Sequence, residues 1–148
     1  PNIRFTTCQQ HYPENFWNPA FQRHANSAAA IAGVVAGAER RERHARFFEI
    51  FAGGQSTIVD GGFTIKTPRG VIDMLTPAVF THRFVVTAPS VSDAPRLAAL
   101  RFAVNDIGLL EAVPEQAGIA GICGGNPTVI GPGDAMGATL IFEAVQAR

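Results

Sequence analysis

From Ile31 onward the hydrophobic and polar positions fall into short blocks of two different periods. Ile31 to Ala38 is an unbroken run of small and β-branched residues and predicts a buried strand. Arg40 to Phe51 predicts a helix, with Phe47, Phe48 and Phe51 on one face and Arg40, Arg41, Glu42 and Arg43 elsewhere. Gly53 and Gly54 end it. Ser56 to Asp60 and Phe63 to Thr67 predict two strands joined at Gly61-Gly62, and Thr67-Pro68-Arg69-Gly70 a second turn into a strand from Val71 to Leu75. Thr76 and Pro77 have the chemistry of a helix cap and first position, so a short helix is expected to Phe80. Val85 to Pro95 reads as a connector.

The order then repeats. Leu97 to Val104 predicts a strand, and Asp106 caps a helix expected to reach about Gly118, with Pro114 kinking or ending it. Ile119 to Cys123 and Thr128 to Ile130 predict short strands around Gly124-Gly125-Asn126. Gly131 to Gly137 is a turn, and Ala138 to Val145 the last strand. Strand–helix–strand–strand–strand thus occurs twice, at about 30–80 and 96–148. Ile31-Ala32-Gly33-Val34 lies over Leu97-Ala98-Ala99-Leu100 at an offset of 66, and Val71-Ile72-Asp73 over Ile141-Phe142-Glu143 at an offset of 70. The expected fold class is α+β: two βαβββ units forming a curved mixed sheet, with the main helices on its convex side.

Residues 1–28 differ in kind. They hold Tyr12, Trp17, His11, His24, Pro13 and Pro19. Ile3 to Cys8 reads as a strand and His11 to Ala25 as an aromatic-rich arm that must lie on the domain (29–148) or on a second copy, because Phe16, Trp17 and Phe21 would otherwise form an exposed apolar patch.

Several segments resemble the glyoxalase-like domains of the vicinal oxygen chelate (glyoxalase, bleomycin resistance and extradiol dioxygenase) superfamily. Gly70-Val-Ile-Asp-Met-Leu-Thr-Pro77 is similar to the fourth strand of such a unit. Leu97 to Asp106 is similar to the first strand and helix cap of the next, and Gly137-Ala-Thr-Leu-Ile-Phe-Glu143 to its last strand. Cys8 to Glu14 and His24-Ala-Asn26 resemble the connector between two such domains in longer proteins. The resemblance implies a cleft inside the curved sheet. In metal-using members, ligands come from the first and last strands of each unit, usually His and Glu. Here the first-strand positions are Gly33 and Ala99, which cannot bind metal; the last-strand positions are Asp73 and Glu143, which can. Two carboxylates without imidazole suit zinc, nickel or iron poorly. The expectation is therefore no cofactor, with Asp73 and Glu143 as weak candidates for a divalent metal.

Strand alternation places side chains on faces. With Asp73 and Glu143 toward the cleft, Val71, Leu75, Ile141, Val145, Gly33, Val35, Gly37, Ala99, Arg101 and Ala103 face it as well. Val34, Ile72, Met74, Leu100, Phe102, Val104, Leu140 and Phe142 face the helices. Arg101 is the natural partner for both carboxylates, since guanidinium offers five donors in a planar fork. Asp73, Arg101, Glu143, Val35 and Leu75 are the candidate ligand-binding residues. The same cluster reads equally as an internal ion pair filling the place of a metal.

Composition narrows the function classes. The 148 residues balance 12 basic against 12 acidic side chains, which removes the electrostatic reason to expect nucleic acid. No apolar run approaches the roughly 18–20 residues of a membrane span. Pro1 to Gln10 lacks the apolar core of a secretory leader, and Cys8 and Cys123 stand far apart, so reduced thiols and a cytoplasmic location are expected. His44 and His82 read as solvated helix and surface-loop residues. His11 and His24 read either as acid–base or ligand groups, or as anchors of the arm. Cys123 reads as a small apolar residue.

Two function classes follow, beside a structural reading as the catalytically silent half of a two-domain protein. One is a metal-free module that binds a small molecule, similar to the drug-sequestering members. The other is a metal-dependent lyase, isomerase or dioxygenase on a small oxygen-rich metabolite, with ligands completed by another domain or chain. A homodimer or a second glyoxalase-like domain is the expected partner, since an open sheet leaves edges to cover.

Overall fold

In a computed structural model, the structure describes residues 4–110, 118–119, 122–123 and 127–145. The small and β-branched run forms β1 (Ala28–Gly37), three residues longer at its start than the apolar pattern suggests. The chain then makes a 3-10 turn at Arg41–His44 before α1 (Ala45–Ala52), so the expected single helix is two pieces. Asp93 accounts for the break. Its carboxylate pairs with Arg40, and its carbonyl lies 2.7 Å from Nε2 of His44, tying this turn to the distant connector. His44 is thereby half-buried, a structural anchor rather than a solvated residue. Gly53 closes α1 at φ 69°, a left-handed cap that costs glycine nothing.

The hairpin β2 (Ser56–Val59) and β3 (Gly62–Thr67) and the strand β4 (Gly70–Leu75) follow as the turn chemistry requires. Glu49 of α1 accepts both the backbone N–H (3.1 Å) and the hydroxyl (2.7 Å) of Ser56, which fixes the start of β2 and lowers the Glu49 pKa. In α2 (Pro77–Phe84) the Thr76 hydroxyl accepts from the Val79 N–H. This helix runs a full turn past its expected end at Phe80, so His82 is a helical residue rather than a loop residue.

The second unit begins with β5 (Arg96–Val104). Asp106 accepts from the Gly108 N–H at 2.9 Å, and residues 107–110 are helical. The expected continuation of this helix through Pro114 lies outside the described residues, as does Gly124-Gly125-Asn126. β6 (Ile122–Cys123), β7 (Thr128–Ile130) and β8 (Thr139–Ala144) complete the unit. No strand forms over residues 4–8; the strand expected there is absent among the described residues.

The eight strands among the described residues make one mixed sheet in the order β2-β3-β4-β1-β5-β8-β7-β6. Each unit pairs its first and last strands in parallel, and the units join through antiparallel β1 and β5. The ladders correct the residue-by-residue match of the two units. Gly33 lies opposite Val71 and Arg101 opposite Ile141, so the first-to-last spacing grows from 38 to 40 residues, by two and not four. The two matched segments cannot both be equivalent positions. Their faces survive the correction because an even shift preserves strand parity.

Two apolar clusters lie under the helices of the convex face. One gathers Ala36, Phe63, Ile65 and Met74 around Phe48 of α1; the other gathers Val104, Ile130 and Phe142 around Leu110. The third lies on the opposite face, where Phe80 and Phe84 of α2 pack on Val35, Leu75, Ala99, Val129 and Ile141. Those two rings sit edge to face at 5.1 Å and are 2 % and 1 % exposed, so α2 is a plug in one end of the concave face. Replacing Phe84 by Ala should cost about 3–5 kcal/mol, the usual price of truncating a buried Phe. Urea unfolding of F84A against the parent would measure it; a change below about 1 kcal/mol would mean that α2 is not docked.

Candidate functional site

Three charged side chains meet on the concave face. Arg101 lies in β5 directly opposite Gly33 of β1, and Gly33 lies opposite Val71 of β4. Strands are about 4.8 Å apart, so a guanidinium on β5 reaches β4 only by lying across β1. Gly33 has no side chain to block that path. The Arg101 Nη1 donates to Oδ2 of Asp73. On the other side, Nε donates to Oε1 of Glu143 at 3.0 Å and Nη2 to Oε2 at 2.8 Å, a two-pronged clamp. Asp73 also accepts the hydroxyl of Thr64, its cross-strand neighbour on β3. The cluster therefore fastens β4, β5 and β8, with β3 in support.

The cluster is dry on one side and wetter on the other. Side-chain exposure is 2 % for Asp73, 14 % for Arg101 and 24 % for Glu143. Burial works against the guanidinium charge, but the hydrogen bonds and charges of Glu143 and Asp73 outweigh it and hold the Arg101 pKa above its ordinary range. A cation whose pKa is raised on folding contributes stability that is complete below the unfolded value and fades only as pH rises past it. Arg101 stays charged at every ordinary pH.

Strand parity thus brings together Asp73, Arg101 and Glu143, but not the whole expected wall. Val35 and Leu75, expected to line open space, are 0 % and 2 % exposed. The extra turn of α2 lays Phe80 and Phe84 over them, which makes them core. Sequence reasoning also missed Thr64, although its position opposite Asp73 follows from hairpin register.

Of the other candidates, His11 and His24 are exposed. His24 and Trp17 line a recess of about 830 Å³ between the arm and the sheet. The arm is held by Phe5, whose ring meets Phe47, Phe48 and Phe51 at 4.8, 5.6 and 5.2 Å, and within itself by the Trp17 indole donating to Gln10 at 2.9 Å. Tyr12, Phe16, Trp17 and Phe21 remain more than half exposed. The Cys8 thiol is exposed and unpaired, while the side chain of Cys123 lies outside what is described.

No family model and no curated protein matches this sequence. Solved structures do. Methylmalonyl-CoA epimerase from Mycobacterium tuberculosis superposes with a TM-score of 0.58 at 14 % identity, covering 84 % of this chain and 97 % of that one. The Streptomyces coelicolor epimerase in complex with 2-nitronate-propionyl-CoA gives 0.57 at 12 % identity, covering 82 % and 97 %. A Bacillus halodurans protein gives 0.56 at 11 % identity, covering 80 % and 95 %. The chain shares the fold of these structures, the glyoxalase-like pair of βαβββ units.

Within the glyoxalase-like fold, the donor set can be tested against the metal that the resemblance implies. It does not fit. Both carboxylates already accept from Arg101, and no group of three or more His, Cys, Asp or Glu side chains converges among the described residues. Nor is Gly33 a vacant ligand position. A Cβ there would come within 2.4 Å of the Val71 carbonyl oxygen and 2.7 Å of its methyl group. A histidine could not be accommodated without moving β4.

Replacing Arg101 by Ala leaves two carboxylates facing each other in a largely dry site, and should destabilise the protein by roughly 3–5 kcal/mol, less if water reaches Glu143. Substituting the set together (Asp73→Leu, Arg101→Met, Glu143→Leu) should recover most of that loss. Chemical denaturation of both variants checks the pair of outcomes. An R101A protein as stable as the parent would mean that the clamp carries no stability.

Proposed function

We propose that this chain is a metal-free module of the glyoxalase-like fold that binds a small molecule on its concave face. The observation that carries the reading is the Arg101 clamp, in which a guanidinium holds both last-strand carboxylates that a metal would need. Arg101 and Glu143 are the partly exposed members of the cluster and the ones a ligand can reach; Asp73 orients them from below. Similarity to epimerase structures that contain 2-nitronate-propionyl-CoA or methylmalonyl-CoA supports a small organic ligand in this fold.

Metal analysis separates this reading from a metal-dependent lyase, isomerase or dioxygenase. The protein is purified without chelator, dialysed against zinc, nickel or cobalt, and assayed by elemental analysis. Metal content far below one ion per chain is expected. One ion per chain, lost on Glu143→Ala, would establish the metal-dependent reading instead.

Residues 1–28 are read as an arm that completes its burial against a second copy of the chain or a second glyoxalase-like domain. Four exposed aromatic side chains and the open edges at β2 and β6 support this. Sedimentation at micromolar concentration should give a species of about twice 15.7 kDa; a single species near that mass would refute it. The described residues contain no helix long and apolar enough to cross a membrane. A cytoplasmic location belongs to the same reading, resting on two cysteines far apart in sequence.

A further inference from the structure

The concave face is closed by α2 above Val35 and Leu75, yet it is open beyond it. At the start of β5 and β8 lies a cavity of about 570 Å³, within the range of small-molecule sites. Its lining includes Leu97, Ala98 and Ala99 of β5 and Thr139 of β8, which lies opposite Ala99. Its walls are the connector after α2 and the turn before β8.

Three features of this cavity are unusual for a mere surface depression. Its lining is mostly apolar, with Ala88, Pro89, Pro132 and Ala138 among it. Leu97 is 52 % exposed and Met136 fully exposed, so two large apolar side chains flank the opening without cover. Met136 also holds φ at 53°, in the left-handed region that side chains other than glycine, Asn and Asp rarely adopt. The adaptable thioether of methionine is suited to packing on varied apolar guests.

One cation stands at the rim. Nη1 of Arg96 donates to the carbonyl oxygen and the hydroxyl of Ser90 at 3.3 and 3.2 Å, which positions the group. Its Nε and Nη2 carry no protein hydrogen bond or ion pair among the described residues. An apolar cavity with a fixed guanidinium at its mouth matches a guest with an apolar body and a single acidic group.

We infer that this cavity is the ligand site, and that it takes a small amphipathic anion: the apolar part between Leu97 and Met136, the acid on Arg96. The inference rests on the reading of the chain as a small-molecule-binding module and specifies the ligand's class and place.

Isothermal titration with octanoate, octanol and octylammonium tests it. The proteins are the parent, Arg96→Gln, Leu97→Trp to fill the cavity, Glu143→Gln to report binding at the clamp, and Arg43→Gln, an exposed cation outside the cavity lining, as the control, each checked for folding by circular dichroism. Expected are saturable binding of octanoate at one site, a loss of about tenfold in R96Q, as for one charge-assisted contact, and loss of binding in L97W with R43Q unaffected. Octanoate binding that survives R96Q and L97W but fails in E143Q would overturn this site while leaving a small-molecule module with its ligand at the clamp. Equal binding of all three probes would overturn the anionic class. Binding of none would overturn the proposal outright, whereas the metal analysis still judges the metal-free reading separately.

Discussion

The constraint on which the rest depends is the pairing of one guanidinium with two carboxylates across the junction of the units. Asp73 and Glu143 stand on the last strands of different units, on the same face of one sheet. Left alone they would repel in a medium too dry to screen them. Arg101 relieves this, reaching from β5 past Gly33 of β1 to Asp73 on β4. A glycine, an arginine and two acids from four strands thus make one electrostatic unit. The ion pairs are not a source of large net stability, since desolvation offsets most of their attraction. Their consequence is registry: a slip of β1 against β5 by one residue would leave buried Asp73 without the guanidinium.

That unit also sets what chemistry the fold can carry here. A metal centre needs free lone pairs from several donors. Every Arg101 donor bound to a carboxylate oxygen removes one, and the close approach of Val71 to Gly33 bars an added ligand. The concave face is left with three zones. An aromatic plug covers Val35 and Leu75, the clamp lies beside it, and an open apolar cavity lies at the start of β5 and β8.

The arm poses a different balance. Phe5 is held among the phenylalanines of α1, in edge-to-face contacts of the kind aromatic rings prefer. Beyond it, Phe16, Trp17 and Phe21 follow two 3-10 turns that satisfy some backbone groups locally but bury none of these rings deeply. Local hydrogen bonding has shaped the segment; apolar burial has not been completed within one chain.

Much of the fold was legible because it is written in local chemistry. The two periods, the Thr76-Pro77 cap, the Gly53 stop and the hairpin turns identified elements and their order, and parity alone put Asp73, Arg101 and Glu143 on one face. Alternation carries that far because a strand's side chains change face at every residue, whatever the strand packs against. The sequence by itself could not say how far apart equivalent residues of the two units stand, since one-residue irregularities where β1 meets β5, and the loop lengths, shift the register without a mark in the hydrophobic pattern. Nor could it say that α2 continues to Phe84 and turns Val35 and Leu75 from cleft wall into core. An apolar residue facing a cleft and one packed under a helix have the same sequence pattern. Only the tertiary structure decides which it is, because burial depends on what another part of the chain lays on top.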